Sequence, residues 1–173
     1  MADETSYGWA GKILRVNLST GSITTPPTDP YKEYIGGMGL ANKIMYDEVP
    51  AGTDPFSPEN KLIFAVGPLT ASGVPLAGRT TICSLSTFTK DHLVVDAHCG
   101  GMIGAKIKLA GWDAVVLEGA SDHPVYLNIV DDKVEIKDAL EEGVKIRTLV
   151  NHTDFVGIGG KLNSICIMKQ KLG

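Results

Sequence analysis

A chain of 173 residues with a formal net charge of −4 is long enough for one domain with a sizeable core, and its acidic balance gives no electrostatic basis for nucleic-acid binding. No apolar run is long enough to span a bilayer, and the acidic start of the chain is unlike a signal peptide, so we expect a cytoplasmic protein without a membrane segment. Three cysteines without Cys-x-x-Cys spacing, Cys83, Cys99 and Cys166, argue against a disulfide framework and against a self-contained zinc or iron–sulfur site.

The first part of the chain predicts a hairpin, a helix and a buried strand. The predicted elements are a strand at 12–18, a return strand at 23–25, a helical turn at 31–35, a helix at 40–46 and a strand at 61–66. Prolines end the hairpin, and the glycine pair Gly36–Gly37 precedes the helix. The last strand is apolar throughout, which is typical of a strand buried on both faces.

The stretch from Arg79 to Glu118 predicts two strands, a glycine turn, a short helix at 102–110 and another strand. Glycine has no Cβ, so the backbone at Gly100 and Gly101 can adopt positive φ and approach another group. The free N–H groups of the following helix would point toward this turn, which is an arrangement that suits a phosphate. A plain strand-to-helix turn without a ligand is the commoner explanation of paired glycines on spacing alone.

The same order of elements occurs twice, once over 12–66 and again over 80–118. Short sequence matches accompany it: Leu-Ser-Thr at 18–20 and 85–87, and Gly-Gly-Met at 36–38 and 100–102. An internal duplication and a chance similarity both explain these matches.

The last third of the chain predicts a hairpin from strands at 124–130 and 133–137, followed by an amphipathic helix at 140–149. The sequence at 155–161 resembles a glycine-rich loop after a strand, but Phe155 and Leu162 stand where a P-loop needs Gly and Ser or Thr. Asp96 and Asp113 are expected to be capping or turn residues.

Several motifs follow one another in the order in which a known family carries them. They are YGWAGKILRVNLSTG at 7–21, DPFSPENKLI at 54–63, GPLT at 67–70, GR at 78–79, AGWD at 110–113, PVY at 124–126 and VEIKDA at 134–139. With these motifs the sequence resembles the amino-terminal domain of the aldehyde ferredoxin oxidoreductase family. The resemblance implies one domain over residues 7–139, with an α+β, predominantly β fold of two pseudo-symmetric halves, and a carboxy-terminal tail of uncertain structure over 140–173.

The family's enzymes oxidise aldehydes to carboxylic acids, with tungsten or sometimes molybdenum held by two pterins beside a [4Fe-4S] cluster, and they pass electrons to a ferredoxin-type carrier. The resemblance implies that Arg79 contacts the pterin phosphates, because a guanidinium pairs bidentately with phosphate. It also implies that the main-chain carbonyl of His98 meets a magnesium ion bridging the two phosphates. Cys99, Gly100 and Gly101 would complete this cofactor-binding loop.

The sequence departs from the family pattern in two places. His98 and Cys99 stand where many members have Asn-Ser, which matters little for a main-chain contact. The family's cluster-ligating cysteines and catalytic acidic residues belong to later segments without a counterpart in this chain, so no catalytic residue is assigned. We expect the chain by itself to be apo and inactive.

Two functions of different classes are open. One is the bis-pterin-binding domain of a tungsten aldehyde oxidoreductase, present here as a fragment or truncated gene product. The other is a stand-alone β-rich binding or assembly module that has lost the redox chemistry. Either is expected to form a homo-oligomer, because surface that faces other domains in a large enzyme would be bare.

Overall fold

The computed structural model describes residues 7–123, 125–138, 164–165 and 168–169. Within these residues the chain has an α+β fold built mainly from strands, as the sequence predicts. The strands are β1 (Ile13–Asn17), β2 (Ile23–Thr24), β3 (Leu62–Val66), β4 (Thr80–Leu85), β5 (Val94–Cys99), β6 (Ala114–Glu118), β7 (Val125–Val130), β8 (Lys133–Asp138), β9 (Ser164–Ile165) and β10 (Met168–Lys169). The helices are α1 (Gly37–Glu48) and α2 (Ile103–Leu109), and a 3₁₀ helix spans Asp29–Tyr34.

One mixed sheet carries the strands of both halves in the order β2-β1-β6-β3-β4-β5. β3 lies between β6 and β4 and is buried along its whole length, which explains its continuous apolar sequence. β5 pairs with β4 at the end of this order, and its side chains are exposed except for the half-buried Cys99. The site predicted at the end of β5 therefore lies at an edge of the sheet.

The sheet is covered on both faces, and each face has its own core. On one face α1 buries side chains at helical spacing, Leu40, Ala41, Ile44 and Met45. On the other face α2 and the β7–β8 hairpin pack against the sheet around the buried Trp112. The Trp112 indole N–H donates a hydrogen bond to the main-chain carbonyl of Asp131 in the turn of that hairpin, at 3.0 Å.

A second, smaller sheet contains β7 and β8, with β9 and β10 also paired to β7. The pairs of β7 with β9 and β10 share one antiparallel register, with Ile129 opposite Ile165 and Tyr126 opposite Met168. Part of the predicted tail thus adds to this sheet, whereas the helix predicted at 140–149 lies outside the described residues. The domain boundary at residue 139 stays a prediction. Neither α-helix in the described part of the chain has the length and apolarity needed to cross a bilayer.

The repeated order of elements is only partly matched by the topology. α1 begins at the second glycine of its pair, Gly37, whereas α2 begins after its pair. The strand order is reversed when β1 is exchanged with β4, β2 with β5 and β3 with β6. β1 runs parallel to β6, however, whereas its counterpart β4 runs antiparallel to β3. A two-fold axis would require the same direction in both pairs, so the duplication stays a prediction.

Asp113, predicted as a turn residue, ties the amino-terminal segment to the start of β6. Its fully buried carboxylate accepts hydrogen bonds from the N–H groups of Ala10 and Gly11, at 2.9 and 2.8 Å, and from the hydroxyl of Thr28 at 2.7 Å. The ammonium group of Lys108, near the end of α2, pairs with the same carboxylate. One side chain thereby holds three separated segments together.

Four partly buried charged side chains form a second tie between the sheet and α1. Arg15 forms a bidentate pair with Glu48 at the end of α1, and Lys61 contacts Glu48 at 3.2 Å and Glu118 at 2.6 Å. The hydrogen bond to Glu48 raises the pKa of Arg15. Burial alone would raise the pKa of Glu48, but Arg15 and then Lys61 hold this pKa below its ordinary value.

Candidate functional site

The backbone at Arg79 lies beside the end of β5. β4 and β5 are antiparallel, with Thr80 opposite Cys99. Continuing this register by one position sets Arg79 opposite Gly100, at a cross-strand spacing of about 5 Å. The two segments that the sequence predicts to share a site, Arg79 and the loop 98–101, are therefore neighbours.

The glycines of this loop leave their backbone accessible. Gly101 has φ +84, a conformation that other residues adopt with strain. A Cβ built on Gly100 or Gly101 would meet no atom within 4 Å, so open space lies in front of both residues. A Cβ built on Gly78 would lie 3.5 Å from the carbonyl oxygen of Gly101, so the segment that leads to Arg79 passes close to the glycine turn.

Arg79 is exposed, and among residues 7–123 and 125–138 no carboxylate forms an ion pair with it. The preceding loop, residues 67–78, exposes the apolar side chains of Leu69, Val74 and Leu76. Leu76 also has φ +64, an unusual conformation for a residue with a branched side chain. The arginine therefore stands next to an exposed apolar loop, and no carboxylate of the described residues forms an ion pair with it.

The His98 side chain is held at both ring nitrogens. Nε2 lies 2.8 Å from Oδ2 of Asp96, and Nδ1 lies 3.2 Å from Oγ1 of Thr81 on the adjacent strand. Asp96 lies within β5, so the prediction of a cap or turn residue was wrong for this position. A metal ion could reach either ring nitrogen only by displacing a partner, and the described residues contain no cluster of three or more potential side-chain ligands.

Two of the three cysteines lie in the described residues, and neither environment favours a thiolate. Burial, with a smaller contribution from Asp96, raises the pKa of Cys83 to about 11, and the Cys83 thiol donates a hydrogen bond to Oδ1 of Asn42 at 3.3 Å. Burial also raises the pKa of Cys99, which lies at the end of β5. Metal ligation requires the thiolate, so both thiols are poorly suited to it.

A cleft that sequence reasoning did not find lies on another side of the loop 67–78. It has a volume of about 450 Å³ and lies between the amino-terminal segment at Trp9 and residues 68–72. Its two cations already have partners, since Lys12 lies over the Trp112 ring at 4.4 Å and Lys108 pairs with a buried carboxylate. This cleft offers less free positive charge than the surface around Arg79.

Comparison with known proteins identifies the family. The profile described as "Aldehyde ferredoxin oxidoreductase, N-terminal domain" matches residues 13–165. Relatives named "Tungsten-containing aldehyde ferredoxin oxidoreductase" from Pyrococcus abyssi and Thermococcus kodakarensis are 47% and 44% identical over 135 residues, and each match covers 77% of this chain and 22% of the relative. A relative from Pyrococcus furiosus named "Aliphatic sulfonate oxidoreductase, WOR-like subunit" is 34% identical over 138 residues.

A solved structure agrees with these matches. The complex titled "Active site complex BamBC of Benzoyl Coenzyme A reductase in complex with 1,5 Dienoyl-CoA" contains a chain with 40% identity and a TM-score of 0.74, over 79% of this chain and 21% of that one. This chain thus spans about a fifth of the length of the relatives that it matches. It belongs to the aldehyde ferredoxin oxidoreductase family and corresponds to the amino-terminal domain of that family.

Proposed function

We propose that this domain binds the phosphate groups of a tungsten or molybdenum bis-pterin cofactor through Arg79 and the loop 98–101, as part of an enzyme that oxidises an aldehyde to a carboxylic acid. The observation that carries the proposal is the pairing of Thr80 with Cys99, since this register continues to Arg79 and Gly100. Membership of the family and the tungsten in the names of its relatives support the choice of cofactor.

The residues present fit a phosphate group. Arg79 is exposed and has no ion-pair partner in the described residues, so binding a phosphate would not require breaking an existing ion pair. The space in front of Gly100 and Gly101 lets a ligand approach the backbone, which a side chain at either position would obstruct. Burial holds the nearby Cys99 in its neutral thiol form, so it adds no negative charge to repel an anion.

Each part of the site has a separate task in this proposal. The Arg79 guanidinium pairs with phosphate oxygens, and the main chain of Gly100 and Gly101 lies against the cofactor. The main-chain carbonyl of His98 would help to hold a magnesium ion bound with the phosphates, while the His98 ring keeps its contacts with Asp96 and Thr81. When bound, the metal centre would accept the two electrons released by aldehyde oxidation.

The chain by itself is not expected to oxidise aldehydes. A [4Fe-4S] cluster takes about four thiolates, whereas the sequence has three cysteines, and two of them have raised pKa values. We therefore assign the cluster and the contact with a ferredoxin-type carrier to other parts of a complete enzyme. Stoichiometric iron and tungsten in the purified chain, together with viologen-linked aldehyde oxidation, would contradict this assignment.

The apolar surface near the edge of the sheet is compatible with the alternative function, a stand-alone binding or assembly module, as well as with the cofactor-binding function. Phe88, Leu93 and the first residues of β5 are exposed, and so are apolar side chains of the loop 67–78. Such surface promotes self-association, so a homo-oligomer is expected under both functions. Light scattering tests this point, and a monomer at high concentration would argue against self-association.

The cofactor proposal is tested by anaerobic titration of the chain with molybdopterin released from a purified molybdoenzyme, followed by pterin fluorescence. A charge-assisted hydrogen bond contributes about 1.5–3 kcal/mol, so Arg79→Ala should weaken binding by about 10- to 100-fold. Arg79→Lys should lie between the two, because lysine keeps the charge and loses the bidentate geometry. Lys133→Ala, an exposed cation in β8, is the matched control and should bind like wild type. Equal affinity in Arg79→Ala, or no binding by wild type, would overturn the proposal.

A further inference from the structure

The end of β5 is anchored on one face by a polar cluster, while Cys99 packs against the core on the other face. Thr81 lies opposite His98, and Cys83 lies opposite Asp96, so these four residues occupy adjacent cross-strand positions on one face of the β4–β5 pair. Thr81 and Cys83 are buried, whereas Asp96 and His98 are about one third exposed. The imidazole connects β5 to β4 through its hydrogen bond to Thr81, and its contact with Asp96 within β5 holds the ring in place.

The direction of these bonds follows from the chemistry of the groups. An ionised carboxylate can only accept, so Nε2 of His98 carries the proton that is donated to Asp96. In the neutral ring Nδ1 then accepts from the Thr81 hydroxyl, and all polar atoms of the ring are satisfied. The ring thus has one preferred tautomer and one orientation.

The same cluster is attached to the first turns of α1. A Cβ on Gly37 would lie 3.6 Å from Oγ1 of Thr81, and the Cys83 thiol is hydrogen-bonded to Asn42. α1 is itself packed on the sheet through buried apolar side chains, so it is a rigid support. This contact connects the exposed end of β5 to the core of the domain.

We propose that Asp96 and Thr81 are positioning residues, which hold the His98 ring and thereby fix the backbone at 98–101 opposite Arg79. The inference rests on the proposed function in that the fixed backbone is the one assigned to the phosphate-bearing ligand. β5 is an exposed edge strand, and the two glycines that follow it have no side chains. Cys99 packs against the core on one face, so the His98 ring supplies the side-chain anchor next to the site on the other face. Asp96 and Thr81 therefore act on the ligand only through His98.

The test pairs each disruptive variant with a conservative one. Asp96→Ala removes the acceptor for Nε2, whereas Asp96→Asn keeps an oxygen that can accept from it. Thr81→Val removes the hydroxyl with little change of shape, whereas Thr81→Ser keeps it. Asn128→Ala is the control, because it removes an exposed cross-strand hydrogen bond to Glu135 in the other sheet.

Two measurements are made on the full chain: amide hydrogen exchange at residues 99–101, and the affinity for inorganic pyrophosphate. A hydrogen bond of ordinary net strength changes an opening equilibrium by about 3- to 10-fold. We expect Asp96→Ala and Thr81→Val to speed exchange and weaken pyrophosphate binding by about that factor. Asp96→Asn, Thr81→Ser and the control should behave like wild type.

The outcomes separate this inference from the cofactor proposal. Wild-type exchange at 99–101 in both Asp96→Ala and Thr81→Val would overturn the positioning role, whatever the chain binds. Failure of the conservative variants to restore wild-type behaviour would also overturn it, since the hydrogen bonds would then not be the cause. Pyrophosphate binding that Arg79→Ala leaves unchanged would instead contradict the proposed function, while the exchange measurement would still decide the positioning role.

Discussion

Replacing Asp113 with alanine should cause a large loss of stability in this domain. The carboxylate is fully buried and accepts from two backbone N–H groups, from the Thr28 hydroxyl and from the Lys108 ammonium. Its removal leaves the two N–H groups and the hydroxyl without this acceptor. It also leaves the largely buried Lys108 ammonium without its ion-pair partner, with the Gly8 carbonyl at 3.0 Å still accepting from it. Breaking a buried ion pair in this way costs about 3–5 kcal/mol, a large share of the roughly 5–15 kcal/mol by which a domain is stable.

Urea unfolding at neutral pH, followed by circular dichroism, measures this loss for Asp113→Ala. Lys108→Met in the same background removes the unpaired charge and should recover part of the loss. Asp47→Ala is the control, because it removes a carboxylate from the more exposed pair with Lys43 and should change stability far less than Asp113→Ala does. A loss below about 1 kcal/mol for Asp113→Ala would refute the reasoning, since it would mean that the donors find water or new partners.

Three further predictions concern packing, pH and thiol chemistry. Gly104→Ala should destabilise the chain by about 1–3 kcal/mol in urea unfolding, because the new Cβ would lie 2.6 Å from Oγ1 of Thr80. This clash should outweigh the better helix propensity of alanine, and unchanged stability would contradict the prediction. The pKa of Glu48 is lowered in the folded state, so its contribution to stability is present above its ordinary pKa of 4.5 and is lost as the pH falls through the folded value. Glu48→Gln should therefore lower the free energy of unfolding at neutral pH and lessen its decrease between about pH 5 and 2. Parallel curves of this free energy against pH for the two proteins would contradict this. Cys83, with a pKa of about 11, should react with iodoacetamide at pH 8 about 100-fold more slowly in the folded chain than in urea. Mass spectrometry of the modified peptide measures both rates, and equal rates would contradict the burial of this thiol.

The local elements of this fold follow from periodicity. The continuous apolar run at 61–66 predicts a central strand, and β3 is buried on both faces. The apolar spacing at 40–46 predicts a helix, and α1 extends over Gly37–Glu48, ending just before Pro50. Both signals are local, because each depends only on which side chains the chain must bury.

Long-range pairing could not be predicted from the sequence. The parallel pairing of β1 with β6 joins segments about 100 residues apart, and nothing in either strand specifies that partner. The role of Asp113 was missed for the same reason, because its donors at residues 10, 11 and 28 are distant in sequence.

The site itself stays a prediction, and the structure bears only on whether its segments are neighbours. The resemblance pointed to Arg79 and the loop 98–101, and the strand register makes them neighbours. The cluster of Thr81, Asp96 and His98 was not foreseen, because it depends on which residues of β4 and β5 face each other. The alternation of side chains between the two faces of each strand was the available signal. It shows which residues form a cluster only once the register between β4 and β5 is known.

The central claim is that Arg79 and the glycine turn form one phosphate site. A crystal structure of the chain with molybdopterin bound tests it most directly. The account predicts a phosphate oxygen about 2.7–2.9 Å from the Arg79 guanidinium, with the phosphate against the main chain of Gly100 and Gly101. A phosphate bound elsewhere, for example in the cleft between Trp9 and residues 68–72, with Arg79 left in solvent, would contradict it.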